Sequence, residues 1–255
     1  MAAPLHGPVL ECLCGADTLV RASCFPMNAA SFPLPINSDL VHGSSRAWLS
    51  AVPCIPSYTE HRMLPHTTSK TIPIEEFVAA LRKFAAPAFG PTHQILEFLQ
   101  NTPIAPETLE PYLKWDPQHY TRNLIDKTPL YELIAICWEV GQGSSVHNHR
   151  DQNCWMAVPI GRLLVGNYHL VSQDIEHGRC QLEVSDTVEM NPSNPCAVNP
   201  QDPVHRVYNP REFNQRAVSL HVYSRPFDTC IVYSPENGTC GEIKLHYTTA
   251  YGEPA

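Results

Sequence analysis

Residues 141–161, GQGSSVHNHRDQNCWMAVPIG, set two histidines, His147 and His149, one residue apart behind glycines, and a thiol, Cys154, five residues further on. On a strand, residues i and i+2 share a face, so the two imidazoles would aim at one point. A buried imidazole needs partners for its ring nitrogens, which makes such a pair awkward in a core and useful for a metal ion. Taken alone, the pair also fits two surface histidines in a loop.

On both sides of this stretch the pattern is β. Upstream, YELIAICWEV from Tyr131 is near-continuously apolar, the pattern of a buried strand. Downstream, GRLLVGNYHLV, CQLEVSDTVEM, PCAVNP, PVHRVYN, QRAVSLHVYS, DTCIVYS and GEIKLHYTTAY follow at short intervals, and Asn237-Gly238 marks a hairpin. Many short strands with turns between them make a sandwich or a small barrel. A few helices precede them. IPIEEFVAALRKFA starts at Pro73, repeats Phe77, Leu81 and Phe84 at helical spacing, and places Glu75 and Glu76 at the positive helix end. The run TLEPYLKW after Pro106 predicts a second short helix, and His93 to Leu99 a third. Residues 1–67 have no sustained period and recurrent prolines. They read as an irregular extension, either disordered or wrapped on the domain formed by 68–255.

Composition narrows the function. The chain has 255 residues, a formal net charge of −8, 25 prolines and 16% charged residues. The acidic balance and the lack of a Lys/Arg run exclude nucleic acid as a main partner. No apolar stretch approaches the roughly 18 residues of a membrane span. The start, MAAPLHGPVLECLCG, has no basic n-region and carries Pro4 and Pro8 where an apolar segment would lie, so no signal peptide is read. The expectation is a cytoplasmic monomer acting on a small molecule, with its ten cysteines reduced. Cys12-x-Cys14 is read as incidental.

Two further segments carry candidate chemistry. In AVSLHVYSRPFDTC, Val218, Leu220 and Val222 alternate with Ser219, His221 and Tyr223. A hydroxyl, an imidazole and a phenol in line form a hydrogen-bond chain if that face is covered; an edge strand with a wet face gives the same pattern. In HYTRNLID, Tyr120 and Arg122 stand two apart. Arginine suits a planar carboxylate through a fork of two N–H bonds, although an arginine near a helix end is more often at the surface.

The spacing from Gly141 through His147, His149 and Cys154 to Gly161 resembles the first motif of the cupin superfamily, G-x5-H-x-H-x4-E-x6-G, with Cys154 in the glutamate position. Pro200 to Asn209 resembles the second, with Asp202 in place of its glycine, and the resemblance supplies a third metal histidine, His205. Together with YTRNL, ICWEVGQGSSVHNH, HRVYN, SLHVYS and PFDTC, these motifs resemble the cysteine dioxygenases, the thiol dioxygenase branch of the cupins, from about Lys70 onward. The resemblance implies a small β-barrel of jelly-roll type, one Fe(II) held by His147, His149 and His205, and O2 as co-substrate. It implies conversion of L-cysteine to cysteine sulfinate, and a thioether between Cys154 and Tyr223. On this reading Arg122 and Tyr120 hold the substrate carboxylate, and His221, oriented by Ser219, hydrogen-bonds Tyr223. Cys230 falls at a family cysteine near the pocket and is given no role. Three other readings stay open: a thiol dioxygenase for 3-mercaptopropionate or a related thiol acid, a non-oxidative metal-dependent cupin, and a non-catalytic cupin. Relatives of the first kind carry glutamine at the Arg122 position.

One departure bears on the tyrosine. Relatives of the animal enzymes carry Ser-Pro-Pro after it, with a cis bond at that corner; here the residues are Ser224, Arg225 and Pro226. A cis bond before a non-proline residue costs about 2.5–4 kcal/mol, so a trans Ser224–Arg225 bond is expected, with a possible displacement of Tyr223 or the Arg122 clamp.

Overall fold

The computed structural model describes residues 70–91, 93–198 and 203–255. The extension expected over 1–67, the Cys12-x-Cys14 pair, and Pro200 and Asp202 of the second motif lie outside the described residues.

Two short helices open the described chain, α1 (Ile74–Leu81) and α2 (Gln94–Asn101), with 3-10 turns at Ala86–Phe89 and Pro106–Tyr112. The strands follow. They are β1 (Thr121–Lys127), β2 (Glu132–Trp138), β3 (Val146–His147), β4 (Asn153–Ile160), β5 (Leu163–Asp174), β6 (Arg179–Met190) and β7 (Cys196–Ala197). Then come β8 (Val204–Tyr208), β9 (Ala217–Ser224), β10 (Thr229–Ser234), β11 (Thr239–Lys244), β12 (Thr249–Ala250) and β13 (Glu253–Pro254). One sheet runs in the order β13-β12-β1-β2-β9-β4-β7, and the second closes as β10-β11-β6-β5-β8-β3. The fold is mainly β, with few helices.

The helices begin where the pattern predicts. Phe77 and Leu81 of α1 and Ile95 and Leu99 of α2 are buried together. TLEPYLKW does not make an α-helix. Pro111 lies inside the turn and lacks the N–H that an α ladder needs, so the segment closes as a 3-10 turn. Asn237-Gly238 turns between β10 and β11, where Ser234 pairs with Thr239 and Gly238 takes φ +63°.

The helical layer decides which strand faces are inside. It packs on Leu133, Ala135 and Cys137 of β2 and on Val218, Leu220 and Val222 of β9. The alternate residues of the same strands, Ile134, Ile136, Trp138 and Tyr223, belong to a second core inside the barrel. β2 is therefore apolar on both faces because both are covered. β9 pairs along its length with β2 and with β4, so it is a central strand.

Two positions differ from expectation. HYTRNLID carries β1, a strand paired with β2 and locked at its outer edge by β12 in parallel. Arg122 thus belongs to a sheet, its N–H donating to Thr248 Oγ1 at 3.1 Å and its carbonyl accepting from Thr248 N–H at 2.7 Å. The Ser224–Arg225 bond is cis, not trans. At this corner Arg225 N–H donates to Gln152 Oε1 at 2.6 Å, and Ser224 is in register with Asn153. Tyr223 and Arg122 line one cavity.

Candidate metal centre and cavity

The two glycines of the opening stretch have separate reasons. Gly141 turns at φ +90°, and Gly161 at φ +74° lies where a Cβ would come within 2.5 Å of the Arg216 carbonyl oxygen. Between them, β3 pairs with β8 and sets His147 directly opposite His205. β3 ends at His147, so His149 is not on the strand; it sits at the start of a turn in which Gln152 N–H returns to its carbonyl at 2.9 Å. The two imidazoles converge because the chain turns, not because one strand face carries both. Asn209 of the second motif is fully buried and clamps this region. Its Nδ2 donates to the carbonyls of Trp138, Glu139 and Gln215, and its backbone exchanges hydrogen bonds with Gly141 and Gln142.

His147, His149 and His205 offer ligand nitrogens that all lie within 4.8 Å of one another. Their ring centroids are 4.8 to 5.2 Å apart. His147 Nδ1 donates to the Ser145 carbonyl at 2.9 Å, which leaves Nε2 as the lone-pair nitrogen. His149 and His205 are buried, and none of their ring nitrogens has a hydrogen-bond partner. Burial lowers His147 to about 4 and holds His149 and His205 well below the ordinary imidazole value. Three neutral, convergent imidazoles, two of them with orphaned buried nitrogens, suit a divalent metal, and the set fits Fe(II) as well as Zn(II).

Beside this centre the polar face of β9 is buried, and its chain is continuous. Trp138 Nε1 donates to Ser219 Oγ at 2.8 Å, Ser219 Oγ lies 2.8 Å from His221 Nε2, and His221 Nδ1 lies 3.0 Å from the Tyr223 hydroxyl. The indole is donor-only. Ser219 is fully buried, and its hydroxyl hydrogen has one acceptor, His221 Nε2. His221 is lowered to about 3 by burial, then by the positive Arg122, and is therefore neutral. With Nε2 accepting, Nδ1–H donates to the Tyr223 oxygen, and the phenol is left with its own hydrogen to donate. Trp138 sets the direction of the chain; the alternation of β9 could not reveal it. Its signal was its place on β2, an even number of residues from Ile134 and Ile136.

Cys154 stands directly opposite Tyr223 in the β4–β9 register, and its thiol hydrogen-bonds the phenol. Burial pushes both groups well above their ordinary values, with Arg122 pulling the other way, so both are neutral. Cross-strand partners of this kind have Cβ atoms about 4.5–5.5 Å apart, within reach of a bond between their side chains.

All of this opens on one cavity of about 360 Å³, whose walls include Tyr120, Arg122, His147, His149, Tyr223 and Cys230. Ser219, His221 and Cys154 lie behind Tyr223 and do not line it. Tyr120 stacks on Trp138 at 4.8 Å, and Phe227 packs edge-on against Tyr223 at 5.1 Å. Phe227 was missed by the sequence reading; it follows the cis corner, and nothing in its spacing marks it. Among the described residues, no helix is long and apolar enough to cross a membrane.

Residues 67–236 match the family model described as cysteine dioxygenase type I. Cysteine dioxygenase type 1 of Rattus norvegicus is 33% identical over 143 residues, covering 55% of this chain and 68% of that protein. The Danio rerio protein of the same name is 28% identical over 182 residues, covering 71% of this chain and 88% of that one. Among solved structures, a cupin domain from Bordetella pertussis superposes with a TM-score of 0.32 at 13% identity, over 44% of this chain and all of that one.

Proposed function

Because the chain belongs to the cysteine dioxygenase type I family, we propose that it is a thiol dioxygenase whose substrate is L-cysteine and whose product is cysteine sulfinate. The observation that carries the substrate is the placement of Arg122, a fixed cation, on the wall of the same cavity as His147, His149 and Tyr223. The reaction adds both atoms of O2 to one sulfur, R–SH + O2 → R–SO2H, which takes a thiol to the sulfinic state in one turnover. Fe(II) held by the three imidazoles supplies the redox chemistry that couples the thiol to O2, which redox-inert zinc does not.

The chain's own residues do the rest. The Arg122 fork binds the substrate carboxylate in a planar, charge-assisted pair, and its backbone is anchored between β2 and the C-terminal segment so that the fork stays aimed. Tyr120 flanks it, its ring fixed against Trp138. The Trp138–Ser219–His221 relay fixes the Tyr223 phenol at the cavity wall, where its hydrogen, otherwise shared with Cys154 Sγ, can donate to the substrate carboxylate or to the developing oxygens. Phe227, Val232, Ile243 and Leu245 line the cavity and reduce its water. Because His147, His149 and His205 are neutral, they would leave the charge of a bound Fe(II) uncompensated, and that charge would favour the thiolate form of the substrate at neutral pH. Cys154 and Tyr223, opposed in register, form the thioether: the S–H and one ring C–H beside the phenol hydroxyl are lost as the S–C bond forms, and O2 takes up the two electrons and two protons.

The test is anaerobic loading with Fe(II), addition of L-cysteine, admission of air, and measurement of O2 uptake against cysteine sulfinate by mass spectrometry. The expected result is one O2 consumed per sulfinate. Turnover of 3-mercaptopropionate in place of cysteine would keep the reaction and overturn the substrate. No uptake with either thiol at full iron loading would overturn the dioxygenase reading.

A further inference from the structure

We propose that Cys180 and Cys240 are a closable dithiol, a redox modification site at the seam between β6 and β11 that forms a disulfide by exchange with a small-molecule disulfide. The two strands are in register at one residue pair, Thr239 with Arg179. Around it the hydrogen bonds are reciprocal: Cys180 N–H donates to the Gly238 carbonyl at 2.9 Å and Cys240 N–H to that of Gly178 at 3.1 Å. The thiols repeat the pattern. Cys180 Sγ donates to the Thr239 carbonyl at 3.1 Å, and Cys240 Sγ to the Arg179 carbonyl at 3.2 Å. Each sulfur therefore lies across the seam beside the other cysteine, and the two thiols are also hydrogen-bond neighbours. Diagonal residues of an antiparallel pair share a face, and each thiol already reaches the carbonyl of the residue that precedes the other cysteine, so the bridge forms when the two side chains turn toward each other.

The two cysteines differ in access, which divides their roles. Cys180 is half-buried and meets the reagent; Cys240, 8% exposed, resolves. The Cys180 thiolate attacks one sulfur of RSSR, forming a protein–S–S–R bond and releasing RS⁻. The Cys240 thiolate then attacks the Cys180 sulfur, and the second RS⁻ leaves. The protein loses two electrons and two protons, and RSSR becomes two RSH. Burial pushes Cys180 up to about 11 and raises Cys240 as well, so closure is slow at neutral pH and quickens about tenfold per pH unit below that value. The consequence reaches the centre. The closed ring of strands that carries His147 and His205 passes through this seam, and a covalent bridge would staple it.

The experiment uses the full reduced chain with cystamine as the disulfide, at pH 7.5 and pH 9, followed by alkylation and peptide mapping. The mapping separates this pair from the other cysteines. The expected product is a Cys180–Cys240 linked peptide that appears far faster at pH 9. It should raise the melting temperature by about 5–15 °C, and dithiothreitol should reverse the shift. Cys180→Ser and Cys240→Ser should each abolish that shift. Stable cystamine adducts on either cysteine without a linked peptide, linkage of either to a different cysteine, or recovery of both as alkylated thiols at pH 9 would each overturn the proposal. The wild-type mapping decides even if a variant fails to fold.

Discussion

Strands β9 and β6 both alternate polar and apolar residues, yet they have opposite fates. Every residue of β9 is buried, including Ser219, His221 and Tyr223. Most of β6 is exposed, and its Val184 remains 76% accessible. β9 is paired on both edges and covered by helices on its apolar face, so its polar face can only look inward. β6 pairs fully with β5 alone and meets β11 at one residue pair. Alternation says which residues share a face; coverage by other elements says which face is inside. The polar inner face of β9 is tolerable because each group on it has a partner, and those partners are the chemistry.

The comparison can be broken where β9 meets the centre. His205→Ala removes one of three convergent imidazoles, and iron content and O2 uptake should both fall to background, read by metal analysis and an oxygen electrode; retention of full iron would remove His205 from the ligand set. On the other face of β9, Leu220→Ala empties a side chain packed under the helices and should cost about 2–5 kcal/mol in urea unfolding. Val184→Lys on β6 should change stability by less than about 0.5 kcal/mol. Equal losses from the two substitutions would erase the distinction between the strands.

Two further effects sharpen it. Arg122→Ala should weaken turnover of cysteine by about ten- to a hundredfold in kcat/KM while sparing cysteamine, which lacks the carboxylate; equal losses for both thiols would remove the clamp. His221 tests the burial itself. Its value falls from the ordinary 6.5 to about 3, so the folded chain releases a proton that the unfolded chain keeps below pH 6.5. The stability this group supports is whole above pH 6.5 and is lost as pH falls toward 3. Between pH 7.5 and 5 the wild type should therefore lose about 2 kcal/mol more than His221→Asn in urea unfolding. Parallel pH profiles would mean that His221 is solvated.

Much of the site was legible in advance. The spacing of Gly141, His147, His149, Cys154 and Gly161 pointed to the fold, and the alternation of Ser219, His221 and Tyr223 pointed to a relay. Arg122 was visible as a candidate, but not the strand that holds it, because β1 owes its place to pairing with β2 and with residues near the C-terminus. The Ser224–Arg225 corner was read as trans because local preference is strong there, and a contact from Gln152 accompanies the opposite outcome. Trp138 was marked only by its place on β2, in line with Ile134 and Ile136, and the spacing of Phe227 gave no signal of its part in the site.

What the sequence by itself determined was local: the residue types that can hold a metal, their spacing, and which side chains share a face. The tertiary structure decided which face is covered, which imidazole turns to meet which, and where the hydrogen-bond chain begins. The reason is physical. A strand's period of two is set by backbone geometry within a few residues, whereas burial, the pairing of distant strands and the direction of a buried relay depend on groups that are near in space and far along the chain.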